Sequence, residues 1–273
     1  MKSNLEITTV IGCKNMCSYC PQEKLLNAYK DNVRIMSFET FKKCIDKVPT
    51  DSEIHFTGMA EPFLNPDCMK MIDYAFKKGH EIVLSTTLVG LKDVSALEKI
   101  PFKSFVVHLP SSDTKILIDE NYLKTLKELS ESKIKATYIY HKNLHPKINL
   151  PAIKSLLNSR AGNLNGGPRK RWGEIRCKRT QPVLLPNGDV VLCCMDYGLK
   201  HILGNLLRDS YNDLFFGSEY QKILKAWKDP QIDILCRHCE FARNVNFTAK
   251  ILNGLDFKKT IRRILRKLRL PTS

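Results

Sequence analysis

The stretch that decides the fold spans residues 11–21 and reads IGCKNMCSYCP. Its three cysteines, Cys13, Cys17 and Cys20, follow an apolar run at residues 5–11 that has the composition of a β-strand. Three cysteines in one short loop are poorly placed to build a core, so they indicate a metal site. A structural zinc ion is closed by four protein ligands, whereas a cubane iron–sulfur cluster held by three cysteines leaves one iron open. The spacing therefore favours an open iron–sulfur cluster, with zinc as the alternative.

The composition is that of a globular protein with a substantial buried core. The 273 residues are 43% hydrophobic and 26% charged, and no run of apolar residues is long enough to span a membrane. The first residues lack the apolar core and cleavage site of a signal peptide. We therefore expect a cytoplasmic protein whose ten cysteines stay reduced and serve metal binding or catalysis.

Positive charge is concentrated near the C-terminus. The net charge is +16, and residues 257–273 contain seven Lys or Arg side chains and no acidic one. Apolar side chains recur there at helical spacing, which predicts a basic amphipathic helix. Such a helix either makes peripheral contact with the inner face of an anionic membrane through residues 257–270, or docks on its own domain. Nucleic acid could also bind this charge, but no recognised nucleic-acid motif accompanies it.

The first half of the chain alternates strand-like and helix-like segments. Predicted strands lie at residues 5–11, 53–57, 81–86, 104–109 and 134–140. Predicted helices lie at residues 37–48, 66–78 and about 121–131. Repeated βα units predict an α/β fold with a parallel sheet, in which the loops at the carboxyl ends of the strands form the site.

The pattern changes after residue 158, where a stretch rich in Gly, Asn and charge predicts a connection between domains. A hairpin around residues 181–194 and a helix near residues 211–227 follow it. We therefore predict domains at residues 1–165 and 166–245, and a C-terminal helix at residues 246–273.

The cysteine loop on a βα scaffold resembles the radical S-adenosylmethionine (SAM) superfamily. In that family a three-cysteine loop holds a 4Fe-4S cluster, and the amino and carboxylate groups of SAM chelate its free iron. Tyr19 matches the aromatic residue often found directly before the last cysteine. The resemblance implies a partial (β/α)6 barrel over residues 1–165.

Two weaker motifs are similar to SAM-binding segments of the same family. HFTGMAEP, at residues 55–62, resembles the glycine-rich segment that binds the SAM amino group, and its matching residues are Gly58 and Glu61. It departs from the family pattern because no glycine stands directly before the glutamate. Ser85 and Thr86 end the next predicted strand, where the family places contacts to the SAM ribose or carboxylate. The alternative for both motifs is an ordinary turn at the end of a strand.

Four later cysteines, Cys177, Cys193, Cys236 and Cys239, resemble the ligands of a twitch domain, a shortened SPASM domain. The resemblance implies a small α+β domain with one auxiliary 4Fe-4S cluster closed by four thiolates, and therefore two clusters in the chain. A zinc ribbon-like site is the alternative.

The remaining three cysteines have no clear place in either cluster. Cys44 and Cys68 lie on predicted helices, where a buried thiol packs as a small apolar side chain. Cys194 adjoins a ligand and either faces the substrate or is buried.

Size and layout resemble dehydrogenases of the 2-deoxy-scyllo-inosamine type. In such enzymes SAM is cleaved reductively, and the resulting 5′-deoxyadenosyl radical removes a hydrogen atom from the substrate. The resemblance implies that Arg160 in the segment SRAG, and Asp196 after Cys193, contact substrate or handle protons. His108 on a predicted strand is a third candidate. The alternatives are a solvated linker arginine and a structural histidine.

The resulting hypothesis is a radical SAM oxidoreductase that oxidises or epimerises a carbohydrate-type substrate, either phosphorylated or lipid-linked. An auxiliary cluster would accept an electron, and a flavodoxin- or ferredoxin-type protein would supply the reducing electron. One alternative is a peptide-modifying radical SAM maturase. A metal-containing nucleic-acid-binding protein is the alternative from another class.

Overall fold

The computed structural model describes residues 3–164, 166, 169–170, 173–177 and 181–245. Six strands form its first part, and neighbouring strands pair in parallel in chain order. They are β1 (Asn4–Ile7), β2 (Glu53–Phe56), β3 (Glu81–Thr86), β4 (Ser104–Leu109), β5 (Ala136–Tyr140) and β6 (Ile153–Lys154). The predicted α/β class with a mostly parallel sheet is confirmed, and it has the six strands of a partial barrel.

Four helices lie in this part of the chain, and residues of the last three pack with alternate residues of β1–β4 in one hydrophobic core. They are α1 (Gln22–Ala28), α2 (Phe38–Ile45), α3 (Cys68–Lys77) and α4 (Glu120–Glu131). Helix α2 begins where the sequence predicts, because the Ser37 side chain accepts a hydrogen bond from the Thr40 amide. Phe41, Cys44 and Ile45 then fall on one buried face. Cys44 and Cys68 are both buried among apolar residues, as predicted for core cysteines.

The second part of the chain extends the barrel sheet. Its elements are β7 (Ile175–Cys177), β8 (Val183–Leu184), β9 (Asp189–Val191), β10 (Ile202–Asn205), α5 (Ser218–Lys228) and β11 (Ala242–Asn244). Strand β8 pairs in parallel with β1, and β9 and β10 follow it in antiparallel order. Strands β7 and β11 form a separate antiparallel pair. The nine-stranded sheet β10-β9-β8-β1-β2-β3-β4-β5-β6 therefore joins the barrel to the auxiliary part of the chain.

Two predicted boundaries differ from the structure. Strand β1 ends at Ile7 instead of residue 11, because Thr9 leaves the sheet and binds Pro62 and Met36 through side chain and backbone. The predicted helix at residues 211–227 is divided into a 3-10 turn, Asp213–Phe215, and α5, which starts after Gly217 in extended conformation.

In the part of the chain that the structure describes, no helix is both long enough and apolar enough to cross a membrane. The predicted amphipathic helix at residues 246–273, with its membrane-contacting residues 257–270, lies outside the described residues. The predicted division into domains stays a prediction.

Candidate active site between the barrel and the auxiliary domain

A cavity of about 1300 Å³ lies between the barrel and the auxiliary domain. Its walls include the cysteine loop after β1, the carboxyl ends of β2, β3 and β4, and residues from the second part of the chain. The carboxyl ends of parallel strands meet at one edge of a sheet, which is where α/β enzymes place their sites. This cavity is therefore the candidate active site.

The cysteine loop lines the cavity with all three of its cysteines, Cys13, Cys17 and Cys20. Gln22 holds the loop, because its side-chain amide donates to the Cys20 sulfur at 3.3 Å and its carbonyl accepts from the Cys13 amide at 3.3 Å. The Tyr197 hydroxyl from the auxiliary domain lies 3.6 Å from the same Cys20 sulfur. The loop is therefore braced from both parts of the chain.

The donor set of this loop suits an iron–sulfur cluster. Burial raises the pKa of the Cys17 thiol to about 12, so the free thiol stays neutral until a metal binds its sulfur. Among the described residues, no three His, Cys, Asp or Glu side chains converge on a point that a single metal ion could occupy. Cys13, Cys17 and Cys20 would hold three irons of a cluster and leave the fourth open towards the cavity.

Gly58 and Glu61 line the cavity at the end of β2. Gly58 has φ +42°, and an added Cβ would lie 2.5 Å from the Ile7 carbonyl oxygen, so glycine is required for this approach to β1. The Glu61 carboxylate accepts hydrogen bonds from the Thr86 hydroxyl, the Thr87 hydroxyl and the Thr87 amide, at 2.6–2.7 Å. Burial nevertheless raises the pKa of Glu61 above its ordinary value.

Asn15 and Thr87 connect this segment to the cysteine loop, and of the two only Asn15 was missed by sequence reasoning. The Asn15 side chain donates to the Thr87 hydroxyl at 2.9 Å, and Thr87 in turn donates to Glu61. Both residues line the cavity, as do Ser85 and Thr86. The predicted SAM-binding residues therefore lie on one wall, and a hydrogen-bond chain fixes Glu61 relative to the cysteines.

Aromatic rings form the wall next to that segment. Tyr19 packs edge-on against His141 with ring centroids 4.6 Å apart, and His141 lies 5.6 Å from His108. Burial lowers the pKa of His108 to about 4, so its imidazole is neutral at physiological pH. His108 lines the cavity as an uncharged ring.

The auxiliary cysteines come together around the turn before β11. Cys236 and Cys239 lie on and directly after a 3-10 turn, and Cys177 ends β7, which pairs with β11. Cys193 and Cys177 are both close enough to Cys236 for the thiols to influence one another's ionisation. The buried Trp227 indole N–H lies beside the Cys236 sulfur, and no described residue accepts a hydrogen bond of normal geometry from it. A thiolate ligand at Cys236 would give it one, so the four cysteines fit a cluster.

Arg237, between the last two cysteines, holds this turn in place. Its side chain is 0% exposed. The guanidinium donates to the backbone carbonyls of Ala226 and Trp227 at 2.9 and 3.2 Å, and to those of Gly173 and Lys170 at 3.3 and 3.5 Å. A buried cation is tolerated here because four carbonyl oxygens from α5 and the segment before β7 surround it.

Arg160 lies in a strained turn at the edge of the cavity. Arg160 and Ala161 have φ of +50° and +53°, a left-handed conformation that costs non-glycine residues about 1–2 kcal/mol each. The Asn163 side chain stabilises the turn by donating to the carbonyls of Arg160 and Met195 at 2.6 and 2.8 Å. The turn directs Arg160 to the cavity wall, where it acts electrostatically on Tyr197 and Cys194.

Asp196 is not brought to the cavity. Its two carboxylate oxygens accept hydrogen bonds from the amides of Lys200 and His201, at 3.0 and 2.8 Å. The side chain is buried and closes the turn between β9 and β10. Asp196 is therefore placed as a structural residue, because both oxygens already serve the backbone.

The main residue that sequence reasoning missed is Glu6. It lines the cavity from β1, is only 5% exposed, and its Oε2 atom has no hydrogen-bond partner in the described part of the chain. The neighbouring Thr57 hydroxyl, also on the cavity wall, is buried and likewise has no partner there. Burial raises the pKa of Glu6 to about 7, and the nearby Cys194 and Thr57 side chains and the charge of Arg160 only partly offset it. A signal existed in the sequence, since Glu6 is the one charged residue in a predicted buried strand.

The far wall of the cavity is more apolar. It contains Phe215, Tyr220, Leu224 and Trp227, which come from the 3-10 turn before α5 and from α5 itself. The cavity therefore has a polar end near Glu6 and the cysteine loop and an aromatic end under α5.

The fold and the two groups of cysteines define a class of protein, an α/β-barrel enzyme with one open and one closed iron–sulfur site. Comparison of the sequence with family models gives two matches. The radical SAM superfamily model matches residues 7–150, and the SPASM model, an iron–sulfur cluster-binding domain, matches residues 176–240. The chain belongs to the radical SAM superfamily. Its cofactors are SAM and two 4Fe-4S clusters, one that binds SAM and one auxiliary.

Solved structures with the same fold include BtrN in complex with AdoMet and 2-DOIA. BtrN is 17% identical, the match covers 90% of this chain and 94% of BtrN, and the TM-score is 0.62. anSMEcpe with bound AdoMet is 13% identical, with 87% and 86% of the two chains covered and a TM-score of 0.55. SuiB from Streptococcus suis, bound to the precursor peptide SuiA, is 13% identical, with 84% and 65% covered and a TM-score of 0.50. At these identities the likeness shows the fold alone. No curated protein matches the sequence.

Proposed function

We propose that this radical SAM enzyme removes a hydrogen atom from a carbohydrate-type small molecule, as the first step of a dehydrogenation or an epimerisation. One observation carries the proposal. Glu6 Oε2 and Thr57 Oγ1 are buried in the cavity of the cysteine loop, and neither has a hydrogen-bond partner among the described residues. Buried polar atoms are rarely left unpaired, so these two are suited to the hydroxyl or amino groups of a bound substrate.

The polar end of the cavity supports this substrate class. A carboxylate, a hydroxyl and the Arg160 guanidinium face the same space, and together they can accept from and donate to several hydroxyl groups. Arg160 would also favour a phosphorylated or otherwise anionic sugar. The structure of BtrN, which has the same fold, contains the small molecule 2-DOIA.

The proposed assignment of residues follows the cavity walls. Cys13, Cys17 and Cys20 would hold the SAM-binding cluster, and Cys177, Cys193, Cys236 and Cys239 the auxiliary one. Gly58, Glu61, Ser85, Thr86 and Tyr19 would contact SAM. When bound, the cluster and SAM supply the carbon radical that takes the hydrogen atom.

The chain's own residues would orient the substrate and handle its protons. Arg160 would hold a substrate oxygen, and Glu6 would accept a hydrogen bond from a second one. In a dehydrogenation, Glu6 would take the proton that the substrate gives up, and its pKa of about 7 suits that transfer. The auxiliary cluster, which Cys177, Cys193, Cys236 and Cys239 would hold, would supply the electron acceptor. His108, a neutral ring on the wall, would contact the substrate or SAM without carrying charge.

Two partners belong to the proposal. A flavodoxin- or ferredoxin-type protein would supply the low-potential electron. The basic segment at residues 257–270 would contact an anionic membrane peripherally, which would bring the enzyme to a lipid-linked substrate. Flotation with anionic liposomes, with and without residues 255–273, tests the second point, and equal flotation of both proteins would contradict it.

Anaerobic reconstitution followed by label transfer tests the function. We expect about eight irons per chain and reductive cleavage of SAM. A panel of substrates deuterated at carbon, comprising a hexose, a hexose phosphate and an aminocyclitol, is then incubated with reduced enzyme and SAM. Deuterium in 5′-deoxyadenosine identifies the substrate. Transfer from a peptide alone would favour the maturase alternative, and stoichiometric zinc without iron would contradict the proposal.

A further inference from the structure

Cys194 is the cysteine that neither cluster uses. Seven cysteines belong to the two cluster sites, and Cys44 and Cys68 are buried in the core. Cys194 instead lines the cavity and is partly exposed to it, directly after the cluster cysteine Cys193. A thiol in this place is available to whatever the cavity binds.

A second observation marks the same part of the wall as a binding place. The Cys194 side chain is the first of the groups that lie close enough to Glu6 to offset the effect of burial on that carboxyl. Glu6 is only 5% exposed, and no described residue forms a hydrogen bond with its Oε2 atom. A substrate group that reaches this orphaned oxygen would therefore lie beside the Cys194 thiol.

The thiol and the proposed SAM contacts come from different walls of the cavity. The SAM contacts lie at the ends of β2 and β3, whereas Cys194 follows β9 in the auxiliary domain. In the sheet, β1 and β8 separate β9 from β2. A substrate bound at Glu6 between the two domains would have the radical source towards one side and the thiol towards another.

A thiol in such a position has a chemical use. The S–H bond is weaker than the C–H bonds of a carbohydrate, so a carbon radical on the substrate takes that hydrogen atom readily. We propose that the Cys194 thiol donates its hydrogen atom to the substrate radical, so that the enzyme inverts a carbon centre without net oxidation of the substrate. This inference rests on the proposed function and selects epimerisation over dehydrogenation.

Bonds, electrons and protons balance in this inversion. The substrate C–H bond breaks when its hydrogen atom passes to the 5′-deoxyadenosyl radical, and a new C–H bond forms on the opposite face as the Cys194 S–H bond breaks. The Cys194 sulfur radical regains its hydrogen by taking one electron and one proton. The electron comes from the same class of low-potential one-electron reductant that SAM cleavage requires, and the proton from Glu6, which exchanges with solvent. Each inversion consumes one SAM, two electrons and one proton.

Reaction in D₂O with a substrate that carries ordinary hydrogen tests this role, because the Cys194 thiol exchanges with solvent. The wild-type holoenzyme is expected to give an epimer that carries one deuterium at the inverted carbon. Cys194→Ser keeps the size of the side chain, but its O–H bond is too strong to donate. In that variant we expect 5′-deoxyadenosine to form without the deuterated epimer. In place of the epimer we expect either a substrate radical, visible by electron paramagnetic resonance, or a product with two hydrogens fewer than the substrate.

Controls separate this role from a structural one. Cys194→Ser should keep about eight irons, whereas Cys193→Ser should lose the auxiliary cluster. A thiol-exchange assay needs no substrate: methyl methanethiosulfonate should modify Cys194 in the reconstituted wild-type enzyme and leave the core residues Cys44 and Cys68 unmodified.

The outcomes distinguish the two proposals. Deuterium transfer from labelled substrate to 5′-deoxyadenosine reports on the proposed function, and solvent deuterium in the product reports on Cys194. An oxidised product alone from wild type, or a deuterated epimer from Cys194→Ser, would overturn the inference. If no panel member reacts, the proposed function fails, and a Cys194 that resists thiol exchange would overturn the inference by itself.

Discussion

Replacement of Glu6 by glutamine should stabilise the protein while it impairs substrate binding. Glu6 is 5% exposed, and burial raises its pKa to about 7. One of its carboxylate oxygens has no hydrogen-bond partner among the residues that the structure describes. Glutamine has nearly the same shape but carries no charge. Burying a carboxylate is unfavourable, and a purely structural role would favour a neutral side chain at this position. A buried carboxylate here is therefore expected to serve function.

The size of the stabilisation by Glu6→Gln follows from the pKa of Glu6 in the unfolded and in the folded chain. A carboxyl group ionises near pH 4.5 in the unfolded chain and near pH 7 in the folded one, so it loses its proton more easily when unfolded. The free energy of unfolding is therefore lowered progressively as the pH rises from about 4.5 to 7 and stays lowered above that. The total is about 3 kcal/mol, since each pKa unit corresponds to about 1.4 kcal/mol. Glu6→Gln should recover about 1 kcal/mol at pH 5 and about 3 kcal/mol at pH 8.

Thermal unfolding of the anaerobic, reconstituted enzyme at pH 5 and pH 8 measures this difference. The midpoint of Glu6→Gln should exceed that of wild type by several degrees at pH 8, since a chain of this size gains roughly 2–4 °C per kcal/mol, and by much less at pH 5. Glu128→Gln on the exposed face of α4 is the matched control and should show no such dependence. An equal shift at both pH values, or a lower midpoint at pH 8, would refute the assigned cost of burying Glu6.

Three further substitutions test residues that hold the cluster sites and the cavity wall in place. In denaturant titrations, Gly58→Ala should lower the free energy of unfolding by about 3–4 kcal/mol, because the new Cβ would lie 2.5 Å from the Ile7 carbonyl oxygen. Gly79→Ala is the control: its Cβ has open space, so only the left-handed backbone should lower the free energy of unfolding, by about 1–2 kcal/mol. Arg237→Ala should remove the donor of hydrogen bonds to four backbone carbonyls and reduce bound iron from about eight to about four per chain, with Arg237→Lys intermediate; full iron in the alanine variant would contradict this. Tyr197→Phe removes the hydroxyl 3.6 Å from Cys20 and should lower the reduction potential of the SAM-binding cluster in a redox titration, while the auxiliary cluster keeps its potential; equal potentials in both proteins would exclude the hydrogen bond.

Local patterns predicted most of the barrel. Strands β3 and β4 begin and end where their residue alternation predicts, and Ser37 starts α2 as its capping chemistry requires. Strand β1 was predicted too long, because Thr9 binds Pro62 and Met36 and the Ile11 amide donates to the Arg34 carbonyl, instead of pairing with a neighbouring strand. That choice depends on residues far away in the sequence, which a local pattern does not contain.

The candidate site was likewise predictable from the sequence only in part. The cysteine spacings, Gly58 and Arg160 were recognisable from the sequence, and all of the described predicted residues except Asp196, Cys193, Cys236 and Cys239 line the cavity. Asp196 has the residue type of a catalytic acid, but its oxygens are taken by the Lys200 and His201 amides. Residue type alone does not show which hydrogen bonds a side chain has already made.

The sequence by itself determined the radical SAM class, because three cysteines at short spacing and four later ones carry their own ligand chemistry within a few residues. Only the tertiary structure decided which other side chains share the cavity. Glu6, Thr57, Arg160 and Cys194 are far apart in the chain and meet because β8 pairs with β1 and draws the auxiliary domain against the barrel. Their burial, and the unpartnered oxygens that follow from it, arise from that contact and are absent from any single segment.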